Sequence, residues 1–211
     1  MIVIINPNST VAMTEAMLVT AKRVAPGLEI EAWTSHDGPA AIEGPEDGAA
    51  CVPPLLALVQ KASRSGAHVI IIGCSDDTGL AEARALAACP VIGIGQAAYH
   101  LAALAGPRFS VVTTLPVSVP ILAQNIDAYG LSGQLGRVRA AGVPVLALEQ
   151  TPEASALKVL AEIDEAQAKD DIQTVVLGCA GMTEVPSHAG PDLKVRLIDG
   201  VQAAVQIGAL L

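Results

Sequence analysis

Aromatic and basic residues are both scarce in this chain of 211 residues. Phe, Trp and Tyr make up 2% of it although 52% is hydrophobic, so the apolar bulk is Ala, Val, Leu and Ile. Such side chains suit helices packed on a parallel sheet. Lys and Arg number 12 against 21 Asp and Glu, which gives a formal net charge of −9. We therefore expect neither nucleic acid nor an anionic membrane surface as a partner, which leaves small neutral or polar molecules.

Long apolar runs and a secretion signal are also missing. Residues 1–8 indicate a buried strand that leads into a turn, without the basic start and small-residue cleavage site of a signal peptide. No uninterrupted apolar run reaches the length of a membrane span. We therefore expect a cytoplasmic protein.

Metal-ligand motifs are absent as well. The four cysteines, Cys51, Cys74, Cys89 and Cys179, form no CxxC pair, and the four histidines are scattered. A disulfide framework is not expected in a reducing compartment, and a zinc site has no support in the sequence. The missing CxxC motif also argues against a thiol–disulfide enzyme. We expect no metal site.

Short β-branched runs alternate with helical patterns along the chain. Strands are predicted at residues 2–5, 28–33 and 68–72. A helix follows the first strand, with apolar residues at helical spacing between Met13 and Val24. This alternation of strands and helices predicts a parallel sheet with helices on both faces.

The predicted boundaries depend on capping and turn residues. Asn8 or Ser9 is expected to cap the first helix. Residues 34–47 are rich in Gly, Pro and acidic residues, which predicts a long loop, and loops of that length are often functional. The next helix is predicted over residues 52–65.

Two glycine–cysteine pairs close predicted strands 105 residues apart. The strand at 68–72 ends in GCSDDTG, which contains Cys74, and the strand at 174–177 ends in GCAGMT, which contains Cys179. Gly95 and Gly200 have the same separation. The shared offset predicts an internal duplication, in which a strand at 109–113 corresponds to the strand at 2–5.

The duplication has a mechanistic consequence. Ligands of open α/β sheets bind outside the carboxyl ends of the strands, so two facing lobes would each present a thiol to one cleft. We predict an α/β fold of two pseudo-symmetric lobes, each a parallel four-stranded sheet flanked by helices, with the active site between them. The first lobe is predicted to comprise residues 1–97 and about 199–211, and the second about 98–198.

Cys74 and Cys179 are the candidate catalytic residues. A single cysteine after a strand is more often a small buried residue, and Cys51 and Cys89 are expected to be that. Cys74 and Cys179 both follow a glycine, close an apolar strand and precede a polar turn. Backbone N–H groups of such turns can stabilise a thiolate or a substrate oxyanion.

Polar residues and small turn residues at the strand ends are candidates for binding a substrate. Hydroxyl and amide side chains there can hold the carbonyl and N–H groups of a polar ring, although helix capping is the alternative role. The predicted substrate-binding residues are Asn6, Ser75, Asp76, Thr113, Thr114, Ala180 and Gly181.

Other titratable residues near these motifs have structural alternatives. Asp76 and Asp77 could form a carboxylate pair for acid–base chemistry, but at least one is expected to cap a helix that begins near Leu80. His100 and His188 could assist catalysis, although a lone histidine is more often structural.

A loose GxGxxA match occurs at residues 93–98. It lies outside the first strand–helix unit, and no acidic residue stands near position 115 to bind a ribose. Close packing of a strand on a helix explains these glycines equally well, so we do not expect a dinucleotide site.

Taken together, these motifs resemble the aspartate/glutamate/hydantoin racemase superfamily, and its hydantoin/allantoin racemase branch in particular. The similar segments follow one another over nearly the whole chain, at residues 4–10, 38–44, 73–79, 109–115, 143–149, 176–182 and 198–200. The resemblance implies two lobes, no metal or organic cofactor, a cysteine pair acting as acid and base, and a homo-oligomer. The implied reaction is racemisation at a carbon next to a carbonyl, in a 5-substituted hydantoin or an allantoin-like compound.

Many hydantoin racemases have a segment similar to CFDDPG where this chain has CSDDTG at residues 74–79, so Ser75 and Thr78 depart from that pattern. Loss of an aromatic ring and a proline beside Cys74 changes pocket size and turn rigidity, so the substrate stays open. Alternatives within the superfamily are an aspartate- or glutamate-type racemase, a maleate isomerase and an arylmalonate decarboxylase. A binding protein without catalytic activity on a two-lobed fold is the alternative outside it.

Overall fold

The computed structural model describes residues 1–211 and contains eight strands and eight α-helices. The strands are β1 (Ile2–Asn6), β2 (Ile30–Thr34), β3 (Val69–Ile72), β4 (Val91–Gly93), β5 (Phe109–Thr113), β6 (Leu135–Ala140), β7 (Thr174–Leu177) and β8 (Arg196–Asp199). The helices are α1 (Val11–Val24), α2 (Pro45–Arg64), α3 (Leu80–Leu86), α4 (Ile94–Ala105), α5 (Val119–Ala128), α6 (Ala147–Gln150), α7 (Pro152–Lys169) and α8 (Gly200–Gly208).

The strands form two parallel sheets of the same topology. The first has the order β2-β1-β3-β4 and the second β6-β5-β7-β8. Every strand pair is parallel, which requires the helical crossovers seen between successive strands. The predicted α/β fold of two four-stranded parallel sheets flanked by helices is confirmed.

The central strands are buried on both faces because successive side chains point to opposite sides of the sheet. In β1, Ile2 and Ile4 enter a core of 23 residues shared by the two sheets, whereas Val3 and Ile5 enter an outer core with α2 and α3. β5 and β7 divide in the same way between the shared core and an outer core of 13 residues. The two lobes are therefore joined by a continuous apolar layer.

Helices α4 and α8 cross between the lobes. α4 follows β4 of the first sheet but packs against β7, β8 and α5, whereas α8 follows β8 of the second sheet and packs against α1, β3 and β4. The proposed lobe boundaries near residues 98 and 199 stay a prediction. None of the eight helices combines the length and the hydropathy that a membrane-spanning helix requires.

Several predicted boundaries are wrong. Thr10, rather than Asn8 or Ser9, is the N-cap of α1, although the Asn8 side chain accepts a hydrogen bond from the Thr10 N–H at 3.0 Å. α2 begins at Pro45 instead of residue 52, so the preceding loop is shorter than predicted. The helix continues through Pro53 and Pro54, and prolines usually mark a helix start. The second strand is Ile30–Thr34 rather than 28–33.

The capping role predicted for Asp76 or Asp77 is also wrong in its partner. The N-cap of α3 is Gly79, in a left-handed conformation. The Asp77 carboxylate instead accepts hydrogen bonds from the N–H groups of Gly95 and Gln96, at 3.1 and 2.7 Å, at the start of α4. The helix that Asp77 stabilises is thus 17 residues further along the chain, which no local pattern indicates.

Candidate active site

Both candidate catalytic cysteines and all seven predicted substrate-binding residues line one cavity. The cavity lies at the carboxyl ends of the central strands, as expected for parallel α/β sheets. Its first wall comes from the residues after β1 and β3, and its second from those after β5 and β7.

The sheets place the two thiols by the same local structure. The N–H of Gly73 donates to the Ile5 carbonyl and that of Gly178 to the Val112 carbonyl, both at 2.8 Å. These bonds extend each strand ladder by one residue, so that the following cysteine stands just beyond the sheet. Both cysteines are partly exposed to the cavity and form no disulfide.

Burial disfavours the charged form of both thiols. It raises the pKa of Cys74 well above the ordinary value, and the Asp76 carboxylate raises it further. Burial likewise raises the pKa of Cys179 to about 12, with smaller contributions from Asp76, Glu149 and Glu43. One backbone N–H opposes each shift, that of Asp76 at Cys74 and that of Gly181 at Cys179. In both cases the N–H that lowers the pKa belongs to the residue two positions after the cysteine.

The Asp76 carboxylate faces the cavity without a hydrogen bond from any protein group. Burial raises its pKa to about 6. It affects the pKa of both candidate thiols, so it lies within electrostatic reach of each. A buried carboxylate without a partner is costly unless a ligand donates to it.

The polar residues of the cavity differ in how much hydrogen-bonding capacity they have left. The side-chain amide of Asn6 donates to Asn8, Thr10 and Thr14, at 2.9–3.1 Å, so it orders the loop after β1. Thr113 donates its hydroxyl to the Gly178 carbonyl at 3.0 Å. By contrast, the hydroxyls of Ser75, Thr114 and Ser118 have no protein partner and are free to bind a ligand.

Sequence reasoning missed part of the lining. The missed residues are Met13, Ile42, Gly73, Ser118, Val145 and Gly178. Ile42 lies in the long Gly- and Pro-rich loop whose length already suggested function, and Ser118 follows β5 at its carboxyl end. Met13 had the helical spacing of an ordinary core residue. Together with Ile42 and Val145, Met13 gives the cavity an apolar side.

A hydrogen bond between the lobes holds two of these lining segments together. The Val145 N–H donates to the Glu43 carboxylate at 2.6 Å, across 102 residues of sequence. Glu43 follows Ile42, so the bond ties the N–H of the lining residue Val145 to the side chain next to the lining residue Ile42.

The other candidate groups lie outside the cavity. His188 is exposed, and His100 bonds through Nδ1 to the Gln96 carbonyl within its own helix. Cys51 is fully buried as predicted, but Cys89 is only half-buried, which corrects the prediction for it. A side chain at Gly95 would approach the Ser75 carbonyl to 2.3 Å, so close packing explains the glycines at 93–98. No three His, Cys, Asp or Glu side chains are grouped to hold a metal ion.

Comparisons with known proteins agree with this architecture. A family model described as Asp/Glu/Hydantoin racemase matches residues 2–208. A hydantoin racemase from Rhizobium meliloti is 43% identical, over 99% of this chain and 87% of its own length. One from Pseudomonas sp. (strain NS671) is 35% identical, over 96% of this chain and 82% of its own. The structure of an allantoin racemase from Klebsiella pneumoniae superposes with a TM-score of 0.95 and 37% identity, covering 100% of this chain and 86% of that one.

The two-lobed fold and these relatives define an isomerase of the racemase class. The chain belongs to the Asp/Glu/hydantoin racemase family.

Proposed function

We propose that the protein racemises a cyclic ureide of the hydantoin type, the ring common to 5-substituted hydantoins and allantoin, by proton transfer between Cys74 and Cys179. One thiolate removes the proton from ring carbon C5, the electrons move onto the neighbouring carbonyl as an enolate, and the opposite thiol protonates the other face. The roles of the two cysteines exchange with the handedness of the substrate. No cofactor takes part in this scheme.

The paired placement of the thiols carries the proposal. Cys74 and Cys179 stand at equivalent ends of β3 and β7 and line the same cavity, one on each wall. A single-sided proton transfer would need only one such thiol. Two equivalent thiols instead match a reaction that must reach both faces of one carbon.

Burial and the Asp76 carboxylate oppose thiolate formation, because both raise the pKa of the two thiols. A substrate N–H that donates to Asp76 would draw its negative charge away from the sulfurs and lower that barrier. The N–H groups of Asp76 and Gly181 then stabilise the thiolate that forms. Binding of a ring with N–H donors is thereby coupled to activation of the thiols.

The charge of the cavity supports a neutral substrate rich in N–H groups. Its lining contains no Lys or Arg and one carboxylate, Asp76. An aspartate, glutamate, maleate or arylmalonate substrate would bring further negative charge beside Asp76 without a cationic partner. The ring carbonyls of a hydantoin can instead accept hydrogen bonds from Ser75, Thr114 and Ser118. Ser75 stands where the CFDDPG pattern of many hydantoin racemases has a phenylalanine, and the smaller side chain leaves space next to Cys74.

Racemisation is tested directly by polarimetry. Single enantiomers of allantoin and of 5-substituted hydantoins with small, aliphatic and aromatic substituents are incubated with the purified protein. We expect loss of optical rotation with at least one of them, and loss of that activity in Cys74→Ala and Cys179→Ala. Cys51→Ala and Cys89→Ala, which remove thiols outside the cavity, serve as matched controls and should remain active.

Aspartate, glutamate and maleate complete the substrate panel. Turnover of these acids without turnover of any cyclic ureide would contradict the proposed substrate class. A Cys74→Ala or Cys179→Ala variant that racemises at the wild-type rate would contradict the two-cysteine mechanism. The homo-oligomer and the cytoplasmic location stay predictions.

A further inference from the structure

The turn that carries Cys74 is held by side chains from two helices. The Tyr99 hydroxyl of α4 donates to the Ser75 carbonyl at 3.2 Å, and the Asn125 amide of α5 donates to the Asp76 carbonyl at 2.7 Å. Tyr129 caps the end of α5 and donates its hydroxyl to the Asp77 carboxylate at 2.9 Å. Both tyrosines of the chain therefore donate to residues of the turn that follows Cys74.

The contact of Tyr99 has a particular geometric effect. The Ser75 carbonyl and the Asp76 N–H belong to one planar trans peptide group, in which they point in opposite directions. Fixing the carbonyl on Tyr99 therefore also fixes the direction of the Asp76 N–H. That N–H lowers the pKa of Cys74, which is the direction that favours its thiolate.

Tyr99 is well suited to hold this peptide. Its ring is fully buried and stacks on Phe109, with ring centroids 6.3 Å apart. Burial raises the pKa of its hydroxyl well above the ordinary range, so the hydroxyl stays protonated and keeps donating. Gly95, one turn earlier on α4, has no side chain to keep the Ser75 carbonyl away.

We propose that Tyr99 is a positioning residue for Cys74: its hydroxyl orients the Ser75–Asp76 peptide so that the Asp76 N–H faces the Cys74 sulfur. The catalytic consequence rests on the two-cysteine function proposed above, whereas the contact itself does not. Cys179 lacks this device, because Ala204 stands 105 residues after Tyr99. The two thiols are therefore controlled differently despite their equivalent positions.

Alkylation of the individual cysteines tests the proposal without requiring turnover. Wild type and Tyr99→Phe are treated with iodoacetamide across a pH series, and the modification of Cys74 and Cys179 is quantified by peptide mass spectrometry. Besides this N–H, Asp76, Cys51 and Cys179 affect the pKa of Cys74, and the Thr78 hydroxyl lies 4.0 Å from its sulfur. All four groups remain in the variant. We expect Cys74 alkylation in Tyr99→Phe to slow about fivefold relative to Cys179, through an upward shift of its pH profile.

Tyr129→Phe is the matched control. This variant also removes a tyrosine hydroxyl that donates to the turn after Cys74, but that hydroxyl binds the Asp77 carboxylate rather than the Ser75–Asp76 peptide. The ratio of Cys74 to Cys179 alkylation should stay at the wild-type value in this variant. An unchanged ratio in Tyr99→Phe, or an equal fall in both variants, would overturn the proposal.

A substitution of opposite sign provides a second test. In the Tyr129→Phe background Tyr99 is the one remaining tyrosine, so biosynthetic incorporation of 3-fluorotyrosine alters that hydroxyl alone and makes it a stronger donor. The proposal predicts faster Cys74 alkylation relative to Cys179, and a slower or unchanged rate contradicts it. Absence of racemisation by wild type would refute the proposed function but would not alter these alkylation ratios.

Discussion

Asp77 should make the protein less stable as the pH rises, and Asp77→Asn should remove this effect. Burial raises the pKa of Asp77 from the ordinary 3.8 to about 7, although hydrogen bonds from Tyr129, Gln96 and Gly95 oppose the shift. A carboxyl whose pKa is higher in the folded state contributes stability that is complete below pH 3.8 and is lost as the pH rises through 7. Between about pH 5 and pH 8 this loss is on the order of 2–3 kcal/mol.

Urea unfolding followed by circular dichroism measures the effect at the two pH values. The free energy of unfolding of wild type relative to Asp77→Asn should fall by about 2 kcal/mol or more from about pH 5 to pH 8. Asp192→Asn, at an exposed carboxylate, is the control and should show no such change. A wild-type advantage that stays constant, or grows toward pH 8, would refute the reasoning.

Three further variants test individual contacts. Gly95→Ala should lower the free energy of unfolding by about 1–3 kcal/mol and displace the Cys74 turn, because its Cβ would lie 2.3 Å from the Ser75 carbonyl. The control is Gly133→Ala, whose Cβ meets nothing within 4 Å, and equal unfolding midpoints for the two variants would contradict this. Arg139→Met should lower the free energy of unfolding in urea by about 3 kcal/mol, because it leaves the buried Asp170 without its ion pair. Arg108→Met, at an exposed ion pair, should lower it by under about 1 kcal/mol, and equal losses would contradict a larger contribution from the buried pair. Glu43→Ala should raise KM about fivefold, because it frees the Val145 N–H at the cavity. Glu46→Ala, at an exposed residue, is the control, and an unchanged KM in Glu43→Ala would show that the contact does not shape the site.

The sequence predicts this fold well where the signal is local or repeated. The apolar β-branched runs predict β1, β3, β5 and β7 to within a residue or so, because these strands are buried on both faces. The 105-residue offset of the two glycine–cysteine pairs predicts that both thiols stand at equivalent strand ends, and the structure brings them to one cavity.

Contacts between distant segments were beyond the reach of sequence patterns. The position of Asp77 shortly before α3 suggests a cap for that helix. Its hydrogen-bond partners are instead the N–H groups at the start of α4, which packs beside the turn. Ile42 and Val145 line the same cavity only because loops of the two lobes approach each other there. Nothing local indicated that α2 would continue through Pro53 and Pro54, since a proline in a helix interior usually breaks it.

The central claim is that Cys74 and Cys179 act on opposite faces of one carbon, and solvent-deuterium exchange measures this face by face. Separate enantiomers of a compound that wild type racemises are incubated in D2O with Cys74→Ser or Cys179→Ser and followed by NMR. Each variant should exchange the C5 proton of one enantiomer without inverting it, and the two variants should act on opposite enantiomers. Exchange of the same enantiomer by both variants, or racemisation by either at the wild-type rate, would contradict the account.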